Sequence, residues 1–174
     1  SDVYKRQAMP NDTTITLRPA TNDDRTYLSR LHYLADVFGD ESRDLPESES
    51  ADHHKYVNQW DPYTQGGVIA ISSHAVPAGG LFLRYWKSNN PGSGWVGYPE
   101  VPELVIAVER RYAGLGLGTR LLEAGVELAR TQGAPGISLF VDKDNPRARA
   151  RYEKFGFEYK TDSTMIKWFA TPRV

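Results

Sequence analysis

The chain has 174 residues, which is the length of one ordinary domain. Its 21 Lys and Arg residues nearly balance its 22 Asp and Glu residues, so the net charge is -1. No global basic field is therefore present to hold a nucleic acid or an acidic membrane surface. The chain contains no Cys, which excludes disulfides and a thiolate nucleophile.

No apolar run approaches the roughly 18 residues that a membrane helix needs, and residues 1–11 lack the apolar centre of a secretion signal. We therefore expect a cytoplasmic protein without a membrane partner. Residues 1–11 precede any periodic pattern and do not begin with Met, so they are predicted to be a disordered tail or a cloning remnant. Residues 12–174 are predicted to form one domain.

The first part of the chain contains one strand pattern and two helix patterns. Residues Thr13–Arg18 alternate apolar and polar side chains, which is typical of a short strand. Thr21 and Asp24 resemble a capping box, and the apolar residues after them recur at helical spacing until Gly39. A second short helix is predicted for Ala51–Trp60.

Acidic residues dominate positions 36–52, where Arg43 is the single basic residue. Such a stretch usually faces water. The alternative is that its carboxylates line a binding site for a cation.

The middle of the chain predicts a β-hairpin. Val68–Ser73 and Leu81–Trp86 have the apolar and β-branched composition of strands. Pro77, Gly79 and Gly80 separate them, so these three residues are predicted to lie in the connecting loop.

Two strand–helix units follow. Leu104–Val108 is an apolar run of strand length, and a glycine-rich turn then leads into a helical pattern. Ile137–Val141 is a second strand of the buried type, followed by a helix that begins at Asn145 and ends at Gly156. Two short strands complete the chain, at Phe157–Lys160 and Thr164–Phe169.

The glycine-rich turn Ala113–Thr119 joins a strand to a helix, where backbone N–H groups and the helix dipole together favour a phosphate. Glycines at such a junction also serve a tight turn or helix packing, so the spacing alone leaves both interpretations open. Neither Gly114 nor Gly116 begins the G-x-G-x-x-G run of a dinucleotide site. No Lys precedes Thr119, as a P-loop would require.

The segment from Val108 to Thr119 resembles the first signature of the GNAT superfamily of acyl-CoA-dependent N-acyltransferases. That signature runs Val, three residues, an aromatic residue, Arg or Gln, then Gly-x-Gly-x-Gly or Ala. Tyr112 occupies the aromatic position. Ala113 stands where the family has Arg or Gln, a residue that helps to hold the pyrophosphate of CoA.

The segment Asn145–Phe157 resembles the second GNAT signature, Asn-x-x-Ala-x-x-x-Tyr-Glu-Lys-x-Gly-Phe, at every position. Together the two matches cover Leu104 to Phe157. The resemblance implies a single α/β domain with a mixed central sheet of about seven strands flanked by about four helices.

The resemblance also implies an N-acetyltransferase that moves an acetyl group from acetyl-CoA to a primary amine by direct attack in a ternary complex, without a metal. The acceptor would be a small-molecule amine or a peptide N-terminus, and a homodimer is left open. The alternative is a non-catalytic module of the same fold that binds or senses acyl-CoA. Ala113 favours the module, whereas Tyr152 and Asn145 favour the enzyme.

The family pattern places CoA against the backbone of the glycine-rich turn and the start of the second motif. The cofactor-binding residues that it implies are Val108, Ala113, Gly114, Leu115, Gly116, Leu117, Gly118, Thr119, Asn145 and Arg147. Asn145 is also a natural N-cap for the helix that follows it.

Three residues are implied to be catalytic. Tyr152 would protonate the departing thiolate, since a phenol with a pKa near 10 can act as a general acid; the alternative is a core aromatic residue. Val108 would donate its backbone N–H to the thioester oxygen. Glu103 would deprotonate the amine, directly or through water.

The register of Glu103 is imperfect, because the usual acid lies six places before Val108, at Pro102 here. A shift of one residue turns a strand side chain to the opposite face, so the alternative is a solvated strand end. His53, His54 and Tyr56 are weaker candidates for the base. Cations surround both motifs, at Arg110, Arg111, Arg120, Lys143, Arg147, Arg149 and Arg151.

Overall fold

A computed structural model describes residues 14–37, 40–42 and 52–170. The predicted tail at residues 1–11 and the predicted helix end at Gly39 lie outside the described residues. Residues 38–39 and 43–51 of the acidic stretch at positions 36–52 also lie outside them.

A seven-stranded mixed sheet in the order β1-β2-β3-β4-β5-β7-β6 forms the centre of the molecule. Only β4 and β5 pair in parallel, and all other neighbours are antiparallel. The strands are β1 Thr16–Pro19, β2 Gly67–Ile71, β3 Pro77–Arg84, β4 Glu103–Val108, β5 Gly136–Phe140, β6 Glu158–Tyr159 and β7 Thr164–Trp168.

In the described part of the chain, three α-helices and one short π-helix flank the sheet, which confirms the predicted α/β class. They are α1 Arg25–Asp36, the π-helix His54–Asn58, α2 Leu117–Thr131 and α3 Pro146–Phe155. A short 3-10 turn capped by Thr21 precedes α1, as the capping-box pattern predicts. Among the described residues, no helix combines the length and the apolar composition needed to cross a bilayer.

The prediction of a loop at Pro77–Gly80 was wrong, because these residues begin β3. The two glycines let neighbouring backbones approach closely. A Cβ on Gly79 would lie 2.7 Å from the Ala107 carbonyl oxygen, and a Cβ on Gly80 would lie 2.7 Å from that of Val68. Glycine inside a strand marks such close approaches as well as turns.

Both faces of the sheet are covered, so β3 is buried on both sides. Leu81 and Leu83 pack into one core with α2, whereas Phe82 packs into a second core with α1 and the π-helix. This alternation follows from the two-residue period of a strand.

β4 and β5 diverge soon after they meet. Their register contains one pair, Glu103 with Ser138. On its other side β4 pairs with β3 as far as Val108, and the N–H of Glu109 donates to the Ala78 carbonyl at 2.9 Å. Because alternate N–H groups of an antiparallel strand point in opposite directions, the Val108 N–H faces the gap beside β5.

Candidate active site

A cavity of about 1020 Å³ opens where β4 and β5 diverge. One side is lined by the end of β4, the glycine-rich turn and α3, and the other by α1, the π-helix and Ser93. The cavity therefore brings together two parts of the chain that are distant in sequence.

Nearly all the residues that the sequence assigns to the cofactor line this cavity. They are Val108, Ala113, Gly114, Gly116, Leu117, Gly118, Thr119, Asn145 and Arg147. Leu115 is the exception, since its side chain is 52% exposed and is not part of the cavity wall.

The glycine-rich turn leaves an open cradle before the 15-residue helix α2. Gly114 and Gly116 both have φ near +79°, a left-handed conformation that glycine adopts without strain. No atom lies within 4 Å of a Cβ added to either residue. The unpaired N–H groups of a helix N-terminus and this open backbone fit an anionic group such as a phosphate.

Tyr152 is half-buried on α3 and lines the cavity. Its ring contacts Phe157 edge-on, with 5.8 Å between centroids. Burial raises the pKa of the Tyr152 hydroxyl, and the charge of Arg151 opposes part of this rise. The hydroxyl therefore stays protonated near neutral pH, which is the form that a general acid requires.

Asn145 uses one end of its side chain as a helix cap. Its Oδ1 accepts a hydrogen bond from the N–H of Ala148 at 3.2 Å. The side chain also lines the cavity. The cap occupies the carbonyl oxygen of the amide, so its NH₂ group remains the donor that a cofactor can use.

Glu103, the first residue of β4, also lines the cavity and is only 3% exposed. Its two oxygens accept hydrogen bonds from the Tyr56 hydroxyl at 2.9 Å, while Trp86 Nε1 and the Gly94 N–H each donate at 2.8 Å. The alternative of a solvated strand end was therefore wrong. Local sequence could not reveal this, because the three donors come from other segments.

Burial raises the pKa of Glu103, while its hydrogen bonds and the charge of Arg84 oppose the rise. Arg84 is itself buried opposite Glu103 in the sheet register, and burial lowers its pKa to about 10. The carboxyl group therefore takes up a proton more readily than an exposed Glu does.

Two aromatic residues line the cavity beside Glu103: Tyr56, which the sequence offered as a weaker candidate for the base, and His32, which it did not single out. The His32 ring stacks on Tyr56 with 4.8 Å between centroids, and its Nε2 lies 3.7 Å from a carboxylate oxygen of Asp36. His53 and His54, which the sequence offered as weaker bases, are not part of the cavity wall. His53 instead contacts Ser29 at 2.7 Å.

Carboxylates also line the cavity beside α1 and the π-helix. Asp36, Asp40 and Asp52 belong to its wall, which places both described ends of the acidic stretch there. Among the described residues, no group of three or more His, Asp or Glu side chains is arranged to hold a metal ion.

Only some of the predicted cations reach the cavity. Arg110, Arg147 and Arg151 line it, whereas Arg120 donates to the Ile15 carbonyl at 3.1 Å. Arg149 donates to the Asp162 carbonyl. Three cations of the cavity wall therefore lie on α3 or directly after β4, and Asp142, which precedes α3, lines the wall beside them.

Solved structures with the same fold include the PaiA N-acetyltransferase from Thermoplasma acidophilum, in complex with coenzyme A. It aligns with a TM-score of 0.65 and 17% identity over 90% of this chain and 99% of that chain. A putative acetyltransferase from Acinetobacter baylyi ADP1 aligns with a TM-score of 0.67 and 14% identity, covering 92% of this chain and 96% of that chain. At these identities the similarity concerns the fold.

Curated relatives include mycothiol acetyltransferases. The Paenarthrobacter aurescens (strain TC1) protein is 34% identical over 59% of this chain and 30% of its own length. The Nocardioides sp. (strain ATCC BAA-499 / JS614) protein is 26% identical over 91% of this chain and 54% of its own length. The chain thus spans about a third to a half of these relatives.

A relative of similar length is the spermine/spermidine N(1)-acetyltransferase of Bacillus subtilis (strain 168). It is 24% identical over 84% of this chain and 89% of its own length. The model of the acetyltransferase (GNAT) family matches residues 34–157, which include both signature motifs and every residue of the cavity wall except His32. The chain therefore belongs to the acetyltransferase (GNAT) family.

Proposed function

We propose that this protein transfers an acetyl group from acetyl-CoA to a primary amine within a ternary complex. The observation that carries the proposal is the single cavity that joins a phosphate-sized backbone cradle, the Val108 N–H, the Tyr152 hydroxyl and the Glu103 carboxylate. Acetyl-CoA supplies the acyl group as a thioester.

The proposed cofactor site consists of the amides of the glycine-rich turn for the pyrophosphate and the Asn145 NH₂ group for the pantetheine arm. The Val108 N–H, which faces the gap between β4 and β5, donates to the thioester oxygen. Such a donor stabilises the negative charge that develops on that oxygen during attack.

The proposed chemistry is direct attack by the neutral amine nitrogen on the thioester carbonyl carbon. The C–N bond forms as the C–S bond breaks, and the Tyr152 hydroxyl gives its proton to the sulfur. The proton that the nitrogen then loses restores Tyr152. Proton transfer by a positioned side chain typically contributes about 10² to 10⁴ in rate.

Glu103 is the proposed acceptor of the proton that the ammonium form of the substrate must lose before attack. The raised pKa of its carboxyl group supports this role, because it binds a proton more firmly than an ordinary Glu. Tyr56 donates to Glu103 and also lines the cavity, so its hydroxyl provides a relay between the amine and the carboxylate.

The proposed acceptor is a cationic amine of the polyamine class. Asp36, Asp40 and Asp52 line the side of the cavity where the amine would enter, and their charges would raise the local concentration of a cation. The similarity to the Bacillus subtilis enzyme named as a spermine/spermidine acetyltransferase supports the same class. Neutral amines and peptide N-termini are the competing acceptors.

The test is incubation of the protein with acetyl-CoA and a panel containing a diamine, a neutral amine and a short peptide, with released thiol as the readout. The melting temperature with and without CoA is measured in parallel, since a ligand that binds only the folded state raises it. If the protein is an enzyme, CoA raises its melting temperature and thiol is released when acetyl-CoA and an amine are both present. A non-catalytic module gives the thermal shift without thiol release.

A further inference from the structure

We infer that the Arg151 guanidinium, carried by α3, binds the pyrophosphate of CoA at the glycine-rich turn and supplies the charge that the turn itself lacks. This inference rests on the proposed function. It adds a specific ligand-binding role to a residue outside the turn.

The glycine-rich turn contains no charged side chain. Residues 113–119 read AGLGLGT, so their contribution to an anionic ligand comes from backbone N–H groups, the Thr119 hydroxyl and the N-terminus of α2. A helix N-terminus carries the equivalent of roughly half a positive charge. A pyrophosphate diester carries more negative charge than that, so a nearby cation would complete the site.

Arg151 meets this requirement by position. Its Nη1 lies 3.0 Å from the point where a Cβ on Gly118 would be, so the guanidinium rests against the first turn of α2. It also lines the cavity. Arg110 and Arg147 line the cavity too, but neither is among the atoms that approach the glycines of the turn.

The same contact with Arg151 explains why position 118 is a glycine. Unlike Gly114 and Gly116 it does not have a positive φ, so its backbone conformation does not require glycine. The missing side chain instead leaves room for the Arg151 guanidinium to lie against the backbone. Gly118 is therefore expected to be glycine because the Arg151 guanidinium packs against it.

Arg151 has its hydrogen-bonding capacity available for a ligand. Across residues 14–37, 40–42 and 52–170, the ion pairs involve Arg18, Arg30 and His32, and none involves Arg151. Its guanidinium is a planar fork of donors that matches two phosphate oxygens at once. Burial raises the pKa of Tyr152 and the charge of Arg151 opposes part of this rise, which places Arg151 within electrostatic reach of the proposed general acid.

The test compares the dissociation constants of three ligands for the wild type and Arg151→Ala by isothermal titration calorimetry. CoA contains the pyrophosphate and the 3′-phosphate, dephospho-CoA keeps only the pyrophosphate, and pantetheine has neither. We expect Arg151→Ala to weaken CoA and dephospho-CoA by about tenfold or more, because charge-assisted hydrogen bonds are lost. Pantetheine affinity stays within twofold.

Lys154→Ala is the matched control, since Lys154 is an exposed cation on the same helix and is not part of the cavity wall. Its CoA affinity is expected to remain within twofold of wild type. Arg151→Lys keeps the charge but removes the fork, and it is expected to lose less CoA affinity than Arg151→Ala. It also provides the test if the alanine variant does not fold.

Three outcomes would overturn the inference. Unchanged CoA affinity in folded Arg151 variants would show that Arg151 does not bind the pyrophosphate. An equal loss of affinity for pantetheine would show that Arg151 acts on the structure of the site and not on a phosphate. A loss for CoA but not for dephospho-CoA would assign Arg151 to the 3′-phosphate. If the wild type binds no CoA, the proposed function itself fails, which is a different result from equal binding by wild type and variant.

Discussion

The Tyr56 hydroxyl lies 2.9 Å from both carboxylate oxygens of Glu103, although 47 residues separate the two in the chain. The same carboxylate accepts hydrogen bonds from Trp86 and from the Gly94 N–H. Glu103 therefore fixes the π-helix and the loop around Gly94 to the start of β4. The part of the cavity wall beside the π-helix is therefore held in place by a group that is also the proposed base.

Glu103→Ala is expected to destabilise the protein by about 2 to 4 kcal/mol, because buried donors that lose their partner each cost about 1 to 3 kcal/mol. The measurement is the free energy of unfolding in urea. Glu100→Ala is the control, since Glu100 is exposed in the preceding loop, and it should change stability by less than about 0.5 kcal/mol. Equal stabilities for both variants would show that the network contributes nothing.

The pH dependence of kcat/KM is expected to carry a limb that belongs to Glu103. A base must be deprotonated to act, so activity should fall as the pH drops through the pKa of Glu103. Because burial raises this pKa, the fall should begin at a higher pH than for an ordinary Glu. Glu103→Gln should lower kcat/KM and remove this limb. A limb that persists unchanged in folded Glu103→Gln would assign the base elsewhere.

Tyr152→Phe should lower kcat by about tenfold or more and leave the CoA dissociation constant within threefold, because the hydroxyl acts mainly in the transition state. The ring can still contact Phe157. Tyr159→Phe is a suitable control, since its hydroxyl bonds to Glu153 outside the cavity. A folded Tyr152→Phe enzyme with full kcat would make Tyr152 a packing residue.

Gly116→Val should abolish CoA binding, because its side chain would occupy the cradle and valine disfavours positive φ. Gly133→Val separates these two effects. Gly133 also has a positive φ, +84°, and open space around an added Cβ, but it lies outside the cavity. Both variants should therefore lose stability, and only Gly116→Val should lose CoA affinity by calorimetry. If Gly116→Val and Gly133→Val lose CoA affinity to the same extent, the glycine-rich turn is not the phosphate-binding site.

The charge of the acceptor should influence kcat/KM. A dication should exceed a neutral amine of the same length, and its advantage should shrink as salt screens the carboxylates of the cavity. Asp40→Asn should reduce this advantage severalfold and leave the neutral amine nearly unaffected. Equal kcat/KM values for the two amines at both low and high ionic strength would show that these carboxylates do not select the acceptor.

Much of the fold follows from local patterns in the sequence. The capping box at Thr21 and the Asn145-Pro146 helix start are found where they were predicted. The loop predicted at Gly79 and Gly80 was wrong. A glycine that lets neighbouring strands approach closely cannot be distinguished in sequence from a glycine that makes a turn.

The two sides of the cavity differ in how far sequence could predict them. The residues proposed to bind the cofactor lie on two continuous motifs, so a resemblance could name them. The wall around Glu103 is assembled from separate segments of the chain. In the sequence, His32 is indistinguishable from the other positions of an amphipathic helix, and Tyr56 belongs to a polar stretch. Their proximity to Glu103 depends on tertiary packing, which no local pattern encodes.

The most direct test of the central claim is mass spectrometry of a diamine incubated with acetyl-CoA and either wild type or Gly116→Val. We predict that the wild type yields acetylated diamine and free CoA in equal amounts, and that Gly116→Val yields neither above the uncatalysed level. If wild type binds acetyl-CoA but yields no acetylated diamine, the account of this cavity as a site that acetylates a cationic amine is contradicted.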